Sequence, residues 1–348
     1  MTWTITAYSP SDEVAVGQLQ QLLWQGGPLG NARYLHWKYF RNPYLDGRYL
    51  VLAWEAEELV GMIGAFGACW EIPGADNTLL PCLADTVIAP GHRGTALFRQ
   101  MLNVLTERLA ADGVPWLLDF GDQPAGPAML MWGWKAIGPW AIASSSVRPA
   151  ADSLCRDWTF DRTTTGPRSG LPIDGSSMVD TGALANLIAR TEPATRVRHV
   201  RDRAYFDWRF QNPLASYYHL TAGKGALQGY LAGHRAGAES VWGDTPTTIM
   251  DCEAVSDEIW ADLIEQALEW LPGKEVLMWA RDLSPARLAL LERLSMTVKR
   301  ASGRLTADID LPNLLICATG APFANEALAR LSEPSVWDLR SICGRSWR

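Results

Sequence analysis

Apolar residues recur at helical spacing between residues 96 and 110. One face of this segment carries Leu97, Met101, Val104, Leu105 and Leu109. This spacing predicts an amphipathic helix. The run CLADTVIAP (82–90) before it has the character of a strand, and VPWLLDFG (114–121) after it that of a short buried strand. The pattern therefore predicts a strand, a loop at GHRGT, a helix and a second strand.

Two distant segments share one pattern, YLHWKYFRNP (34–43) and YFDWRFQNP (205–213). Both have a tryptophan, then a cation, then Asn-Pro; the equivalent residues are Trp37 and Trp208, Lys38 and Arg209, and Pro43 and Pro213. The residue before proline is pushed out of the helical region, so Asn-Pro ends a helix in each copy. A strand pair follows each copy, at 48–55 and 59–67 and at 217–223 and 227–235. We therefore predict a duplicated domain, in which Trp37 superposes on Trp208 and the two cations help to pack helix onto sheet.

The rest of the chain divides on the same plan. The first half ends in a predicted helix (127–134) and a last strand (135–147), and the second half has strands at 247–255 and 275–282 and helices at 257–271 and 284–296. Ser284 and Pro285 provide the N-cap and first turn of that last helix. We predict a first domain at 1–148, a polar linker at 149–180, a second domain at 181–310 and a C-terminal extension at 311–348, which is poorly patterned and about whose structure the sequence makes no prediction.

Composition narrows the classes of function. The length of 348 residues favours two domains, and the content of 48% hydrophobic and 20% charged residues is typical of a folded chain. The net charge of −7 argues against a nucleic-acid binder, which needs a basic surface. The basic run VRHVRDR (197–203) is either a local basic groove or, in our interpretation, a solvated entry to the next helix.

Localisation and cofactor class follow from what the sequence lacks. It has no signal-peptide pattern and no apolar run near the about 20 residues that span a bilayer, so we expect a cytoplasmic protein without a membrane partner. The six cysteines form no CxxC pair, and we expect neither a metal site nor a disulfide framework. The sequence does not predict an oligomeric state.

The order of elements in each half resembles that of the GCN5-related N-acetyltransferase (GNAT) superfamily. The resemblance implies an α/β (α+β) fold with two GNAT-like domains, each a mixed, mostly antiparallel sheet flanked by helices. The family's phosphate loop has the form Q/R-x-x-G-x-G/A after a strand that ends in a Val-x-Pro-like step. Here Ile88-Ala89-Pro90 stands for that step and Arg93 matches the basic position, while Ala96 and Phe98 occupy positions where the family prefers glycine.

By this resemblance the loop would hold the pyrophosphate of acetyl-CoA or another acyl-CoA. The residues implied are Ile88, Arg93, Gly94, Thr95, Ala96, Leu97 and Phe98. A helix N-terminus suits this ligand, because its unpaired N–H groups and its dipole favour an anion. In the second half Asp257 and Glu258 stand where the pyrophosphate would lie, and they would repel it. We therefore predict one coenzyme A site per chain, in the first half.

Acyl transfer to an amine needs a general base and polarisation of the thioester. The resemblance points to Asp85, because this strand carries the base in many family members; a structural aspartate held by backbone or arginine partners is the alternative. Asp119 and Asp122 flank the end of the following strand, and helix N-capping is an alternative role for Asp122. The position where the family often has a tyrosine as general acid is Met129.

The function implied is an acyl-CoA-dependent N-acyltransferase that acts on an amino group of a small metabolite or amino sugar. We expect the acceptor in a cleft between the halves, lined in part by residues 197–235. Two alternatives remain: a non-catalytic tandem GNAT-like binding or scaffold protein, and an aminoacyl-tRNA-dependent transferase. The expected partner is a small-molecule amine, not nucleic acid.

Overall fold

The computed structural model describes residues 2–24, 27–120, 126–146, 162–191, 195–236, 246–281, 283–300, 311–321 and 324–344. The first half contains β1 (Thr4–Ala7), α1 (Glu13–Leu19), α2 (Gly27–Leu35), β2 (Leu50–Glu55), β3 (Glu58–Phe66), β4 (Cys69–Glu71), β5 (Thr78–Leu79), β6 (Cys82–Ile88), α3 (Leu97–Ala111), β7 (Trp116–Asp119), α4 (Gly126–Met131), β8 (Lys135–Ala136) and β9 (Ile142–Ser146). A π-helical turn, His36–Phe40, continues α2.

The second half and the C-terminal segment follow the same alternation of strands and helices. They contain β10 (Arg162–Thr165), β11 (Pro172–Ser176), α5 (Thr181–Arg190), β12 (Val197–His199), α6 (Arg203–Arg209), β13 (Ala215–Lys224), β14 (Ala226–Ala236), β15 (Thr247–Ala254), α7 (Asp257–Trp270), β16 (Glu275–Trp279), α8 (Pro285–Arg293), β17 (Thr297–Lys299), β18 (Leu315–Ala318), α9 (Ala324–Leu331) and β19 (Trp337–Asp338). Ser284 caps α8 by accepting a hydrogen bond from the Arg287 N–H at 3.2 Å, as predicted.

Three sheets organise these strands. A seven-stranded sheet has the order β1-β2-β3-β6-β7-β18-β8, and an eight-stranded sheet has the order β10-β11-β13-β14-β15-β16-β9-β17. A small sheet, β19-β12-β4-β5, joins strands of both halves and of the C-terminal segment. Most neighbouring strands are antiparallel, and β6–β7, β15–β16 and β12–β19 are parallel. The mixed α/β architecture predicted for each half is therefore confirmed.

The two large sheets exchange strands, which the sequence did not predict. Residues 135–147 were expected to form one last strand of the first half, but β9 lies between β16 and β17 in the second sheet. In return, β18 from the C-terminal segment lies between β7 and β8 in the first sheet. The predicted boundary at residue 148 does not separate the sheets, because alternation along a strand indicates which face is buried but not which strand is its neighbour.

The predicted linker also contains structure. Its part at 162–176 forms the hairpin β10–β11, and β11 pairs with β13 at one edge of the second sheet. β10 lies at the outer edge of the sheet. Few residues of the hairpin are apolar, and Ile173 is buried in the core. The pattern missed it because a hairpin at a sheet edge is held largely by backbone hydrogen bonds.

The duplicated segments meet at the boundary between the halves. The indole rings of Trp37 and Trp208 stack with centroids 5.0 Å apart. The Trp37 Nε1–H donates to the Trp208 carbonyl at 2.7 Å, and the Trp208 Nε1–H donates to the Trp37 carbonyl at 2.8 Å. Such reciprocal contacts are typical of a two-fold axis, where each residue meets its own equivalent. The pair is compatible with a duplication, and the superposition of Trp37 on Trp208 stays a prediction.

The strand register extends the equivalence to the middle of each sheet. Gly61 pairs with Ile88 in the first sheet, and Gly229 pairs with Ala254 in the second. Counting three residues back from Ile88 and from Ala254 shows that Asp85 and Asp251 occupy equivalent positions. A register shift lies beside each of them, between Met62 and Gly64 and between Ala232 and Gly233.

Two buried histidines make stability depend on pH. Burial and the nearby Arg201 guanidinium lower the pKa of His199 to about 3, and burial lowers the pKa of His219 to about 3. In the unfolded chain a histidine titrates near pH 6.5, so between pH 6.5 and about 3 the unfolded chain binds more protons than the folded one.

We therefore expect the free energy of unfolding to fall as pH drops below about 6.5, by about 1.4 kcal/mol per pH unit for each of these histidines. Urea unfolding at several pH values from neutral to mildly acidic measures this slope. The variant His219→Phe, whose ring lies against Phe210, is expected to lower the slope by about 1.4 kcal/mol per unit. A variant slope equal to that of the parent chain would contradict the assignment.

Candidate functional site

The predicted phosphate loop connects β6 to α3. After Ile88 the chain makes a 3-10 turn over Pro90–His92, and α3 begins at Leu97. Gly94 has φ of 73°, a left-handed conformation that favours glycine. The Thr95 hydroxyl donates to the His92 carbonyl at 2.6 Å and accepts from the Leu97 N–H at 3.3 Å. These two hydrogen bonds of the Thr95 hydroxyl stabilise the conformation of the loop.

The loop presents donors to solvent. Arg93, Gly94, Thr95 and Ala96 are exposed. The Arg93 Nε–H donates to the Ile88 carbonyl at 3.0 Å, so the guanidinium is tethered beside the loop. The first N–H groups of α3 have no acceptor within the helix, and the 15 residues of α3 align their peptide dipoles behind them. This arrangement suits a phosphate or pyrophosphate group.

The two large apolar residues at the start of α3 point into the protein. Leu97 is buried, and the half-buried Phe98 ring packs against Trp132 with centroids 5.6 Å apart. The family prefers glycine at position 98, but here the Phe98 ring leaves the loop backbone uncovered. The seven residues predicted for coenzyme binding therefore lie along one connection, from the end of β6 through the loop into the first turn of α3, and the side chains of Leu97 and Phe98 pack against the protein.

Beside this loop the two parallel strands of the first sheet separate. β6 and β7 share one paired position, Cys82 with Leu118. Beyond it β6 runs on to Ile88 with β3 as its ladder partner, so a gap opens between β6 and β7. The register shift opposite Ile63 coincides with Asp85, whose φ of 51° is unusual for a residue with a side chain. Bulges and left-handed non-glycine residues occur preferentially near functional sites.

Asp85 is buried beside this gap with two partners. Its Oδ2 lies 3.0 Å from the Lys38 Nζ and accepts a hydrogen bond of 2.8 Å from the Tyr39 hydroxyl. Only 2% of the Asp85 side chain and 1% of the Lys38 side chain are exposed. Burial and the neighbouring Asp85 carboxylate raise the pKa of Tyr39 well above its ordinary value. The geometry favours a structural role for Asp85 over that of a solvent-accessible base.

The partner of Asp85 was not predicted. Lys38 lies 47 positions away in the chain, inside the π-helical turn, and its ammonium is surrounded by the rings of Tyr34, Tyr39 and Phe66 at 5.2 to 5.8 Å. The repeated Trp-cation pattern marked Lys38 as a packing residue, which its burial confirms, but the pattern has no signal for the pairing. Arg209, the equivalent cation, is also buried and donates to the Tyr217 hydroxyl at 2.6 Å.

The other predicted catalytic residues lie around the end of β7. Asp119 is the last residue of that strand, pairs in register with Leu315 of β18 and is 7% exposed. Asp122 lies outside the described residues. Met129, at the position of the family's general acid, is buried and has no O–H or N–H group to donate. Of the three candidate aspartates, the structure thus locates Asp85 and Asp119, on the two strands that border the gap.

In the second half the equivalent helix start differs. Ser256 caps α7 by accepting from the Ile259 N–H, and the first turn carries Asp257 and Glu258. Asp257 is paired with Arg287 at 2.8 Å. A helix N-terminus that already holds a cap and two carboxylates is unsuited to a pyrophosphate.

In the second half, by contrast, the gap between the parallel strands β15 and β16 is filled. β15 and β16 pair only from Thr247 to Ile249, and beyond this point Leu339–Ser341 of the C-terminal segment packs against β15, leaving a cavity of about 30 Å³. Arg340 lies 2.8 Å from the Glu253 carboxylate and 3.5 Å from Asp251, and Arg201 lies 2.8 Å from Asp251. The chain itself therefore occupies the place where the first half has an open gap.

Within the described parts of the chain, no helix is long and apolar enough to cross a membrane. Over the same residues no group of three or more His, Cys, Asp and Glu side chains is arranged to hold a metal ion.

Comparison with known proteins agrees with this geometry. The model of the acetyltransferase (GNAT) domain family matches residues 5–125. Among solved structures, the chain is similar to a GCN5-related N-acetyltransferase from Anabaena variabilis, with a TM-score of 0.62, 13% identity, and coverage of 92% of this chain and 73% of that one. A conserved protein of unknown function from Enterococcus faecalis has a TM-score of 0.63 at 12% identity, again over 92% of this chain and 73% of that chain.

A GCN5-related N-acetyltransferase from Kribbella flavida has a TM-score of 0.58 at 13% identity, with the same coverage of 92% and 73%. No curated protein matches the sequence significantly. The GNAT match covers the loop and the gap described above, whereas the structural similarity extends over both halves. Residues 5–125 thus match the acetyltransferase (GNAT) domain model, and the chain as a whole has the fold of these solved structures.

Proposed function

We propose that the chain is an acyl-CoA-dependent N-acyltransferase that uses its first half to bind acetyl-CoA or another acyl-CoA. One observation carries the proposal: an exposed helix N-terminus lies at the end of the same strand, β6, that borders an open gap in the sheet. The loop 93–98 holds the pyrophosphate, and the gap receives the thioester end of the coenzyme.

The gap offers backbone partners to an extended ligand. Beyond the single pair Cys82–Leu118, the edges of β6 and β7 that face each other have no ladder between them. An extended chain with amide groups, such as the pantetheine arm, pairs with an open strand edge as an added strand does. The acyl group then lies between β6 and β7, near Asp85 and Asp119.

The acceptor amine must lose a proton when it attacks the thioester carbonyl. We assign the general base to Asp119, acting directly or through a water that it holds, because it ends the strand that borders the gap opposite β6. Asp119 supports this role by its position at the end of β7, one residue beyond the Cys82–Leu118 pair at which β6 and β7 begin to separate. The leaving thiolate of coenzyme A is stable enough that Met129 need not supply a proton.

The acceptor class is inferred from charge. A net charge of −7 is unfavourable for nucleic acid and supports a small amine, such as an amino-bearing metabolite or amino sugar, handled in the cytoplasm. The second half, with its helix start acidic and its gap filled, contributes walls to the acceptor site and no second coenzyme site.

Acetyl-CoA is expected to bind once per chain in a calorimetric titration. Arg93→Ala is expected to weaken binding by about 1 to 3 kcal/mol, the scale of a charged hydrogen bond. Gly94→Glu is expected to abolish it, because it places a carboxylate and a strained residue in the loop.

Gly113→Glu is the matched control. Gly113 lies beyond the other end of α3, and its φ of 75° imposes the same backbone strain as at Gly94. This variant is expected to bind acetyl-CoA like the parent chain. Two sites per chain, or binding that survives Gly94→Glu, would overturn the proposal.

A further inference from the structure

A second cavity, of about 400 Å³, lies between the two halves on the side of the Trp37–Trp208 pair. The first half contributes Arg33, His36, Trp37 and Arg41 to its walls, and the second half contributes Gln211 and Pro213. No residue of the loop 88–98 is part of it. Its size falls in the usual range of small-molecule sites, about 300 to 1,000 Å³.

The interdomain cleft carries two guanidinium groups, those of Arg33 and Arg41. Arg33 and Arg41 are exposed, and over the described residues neither is within ion-pair distance of a carboxylate. Glu13 is the one carboxylate in the lining. Two uncompensated guanidinium groups on one cleft are notable in a chain with a net charge of −7, because they make this region locally attractive to anions.

Most of the remaining lining is apolar, and His36 and Gln211 are its other polar side chains. Leu29, Ala32 and Pro213 form parts of the walls, and the indole of Trp37 lies at the base, stacked on Trp208. A mostly apolar pocket with a few converging polar groups is the usual form of a specific small-molecule site. Guanidinium groups in particular match carboxylate and phosphate oxygens with two parallel hydrogen bonds.

We propose that the interdomain cleft binds a small molecule that carries a carboxylate or phosphate group on an apolar body. Arg33 and Arg41 hold the anion, and Leu29, Trp37 and Pro213 contact the apolar part.

The interdomain cleft is separate from the proposed acyl-transfer gap, but some residues that line the cleft are sequence neighbours of residues that lie beside the gap. His36 and Trp37 face the cleft, whereas the next two residues, Lys38 and Tyr39, contact Asp85 on the core side. One π-helical turn therefore connects the wall of the cleft with strand β6. The ligand is thus bound by contacts that acyl-CoA binding does not use, and the proposal goes beyond the acyltransferase function.

The test is calorimetric titration of the full chain, without acetyl-CoA, with phenylphosphate, phenylacetate and uncharged benzyl alcohol. We expect saturable binding of at least one anionic probe and none of the alcohol. Arg33→Ala/Arg41→Ala is expected to weaken anion binding at least about tenfold. Arg203→Ala, an exposed arginine on α6 outside the cleft, is expected to bind like the parent chain.

The loop 93–98 could also take a phosphate, so the titration is repeated with Gly94→Glu. Retained binding there supports the cleft, and which of the two probes binds distinguishes phosphate from carboxylate ligands. Binding lost in Gly94→Glu, equal affinity for benzyl alcohol, equal affinity in the double arginine variant, or no saturable binding of either anion would overturn the proposal. Each outcome is independent of whether acetyl-CoA binds.

Discussion

Replacing Asp85 with asparagine is expected to lower the free energy of unfolding by about 3 to 5 kcal/mol. The substitution keeps the size of the side chain and an oxygen that can accept from the Tyr39 hydroxyl, but it removes the negative charge 3.0 Å from the Lys38 ammonium. Both side chains are at most 2% exposed, so water cannot compensate for the lost charge. Urea unfolding followed by circular dichroism measures the loss.

The double variant Lys38→Met/Asp85→Asn separates charge from packing. It removes both charges, keeps an acceptor for the Tyr39 hydroxyl and a residue type tolerated at a φ of 51°, and methionine fits the ring of aromatic side chains around position 38. Because no buried charge is then left without a partner, we expect the double variant to regain most of the stability that Asp85→Asn loses. A double variant as unstable as Asp85→Asn would contradict the ion-pair interpretation.

Turnover with acetyl-CoA then distinguishes the two aspartates. Asp119→Asn is expected to lower kcat by about 10²- to 10⁴-fold with little change in coenzyme affinity, as for loss of a general base. If instead Asp85→Asn is as stable as the parent chain and loses turnover to that extent while Asp119→Asn does not, the base is Asp85.

A chain that ends at residue 310 is expected to lose the folded first half, although the deletion lies outside the GNAT match. It removes β18, which lies between β7 and β8, and leaves both strand edges unpaired. It also removes Leu314, Leu315 and Ile316, each at most 2% exposed. Burial of each contributes about 1.5 to 3 kcal/mol, so the total is comparable with the about 5 to 15 kcal/mol that stabilises a domain.

Hydrogen exchange of the β7 amides measures this loss directly. Two point variants in the full chain serve as a matched pair. Ile316→Ala in the buried strand is expected to cost about 2 to 5 kcal/mol, whereas Met178→Ala, at an 80% exposed side chain, is expected to change stability by less than about 0.5 kcal/mol. Native protection of β7 in the 1–310 chain would contradict the strand exchange.

Local structure was largely determined by the sequence itself. The helix predicted at 96–110 is α3, Leu97–Ala111, and the strand and helix predicted at 247–255 and 257–271 are β15 and α7. These elements depend on periodicity and capping within a short segment, which tertiary contacts only reinforce. The position of the loop between β6 and α3 was predicted for the same reason, since Pro90, Gly94 and the helix start are neighbours in the chain; its binding of phosphate stays a prediction.

Which distant segments meet was decided only in the tertiary structure. The exchange of β9 for β18 and the pairing of Lys38 with Asp85 join positions far apart in the sequence. The alternation of apolar and polar residues along β9 or β18 indicates that the strand is buried but does not identify the strand that pairs with it. This is because the backbone hydrogen bonds that join strands are the same for every residue type except proline. From the sequence alone, an isolated Lys or Asp is likewise predicted to be solvent-exposed. Folding removes the water around such a side chain and leaves the opposite charge as its remaining partner.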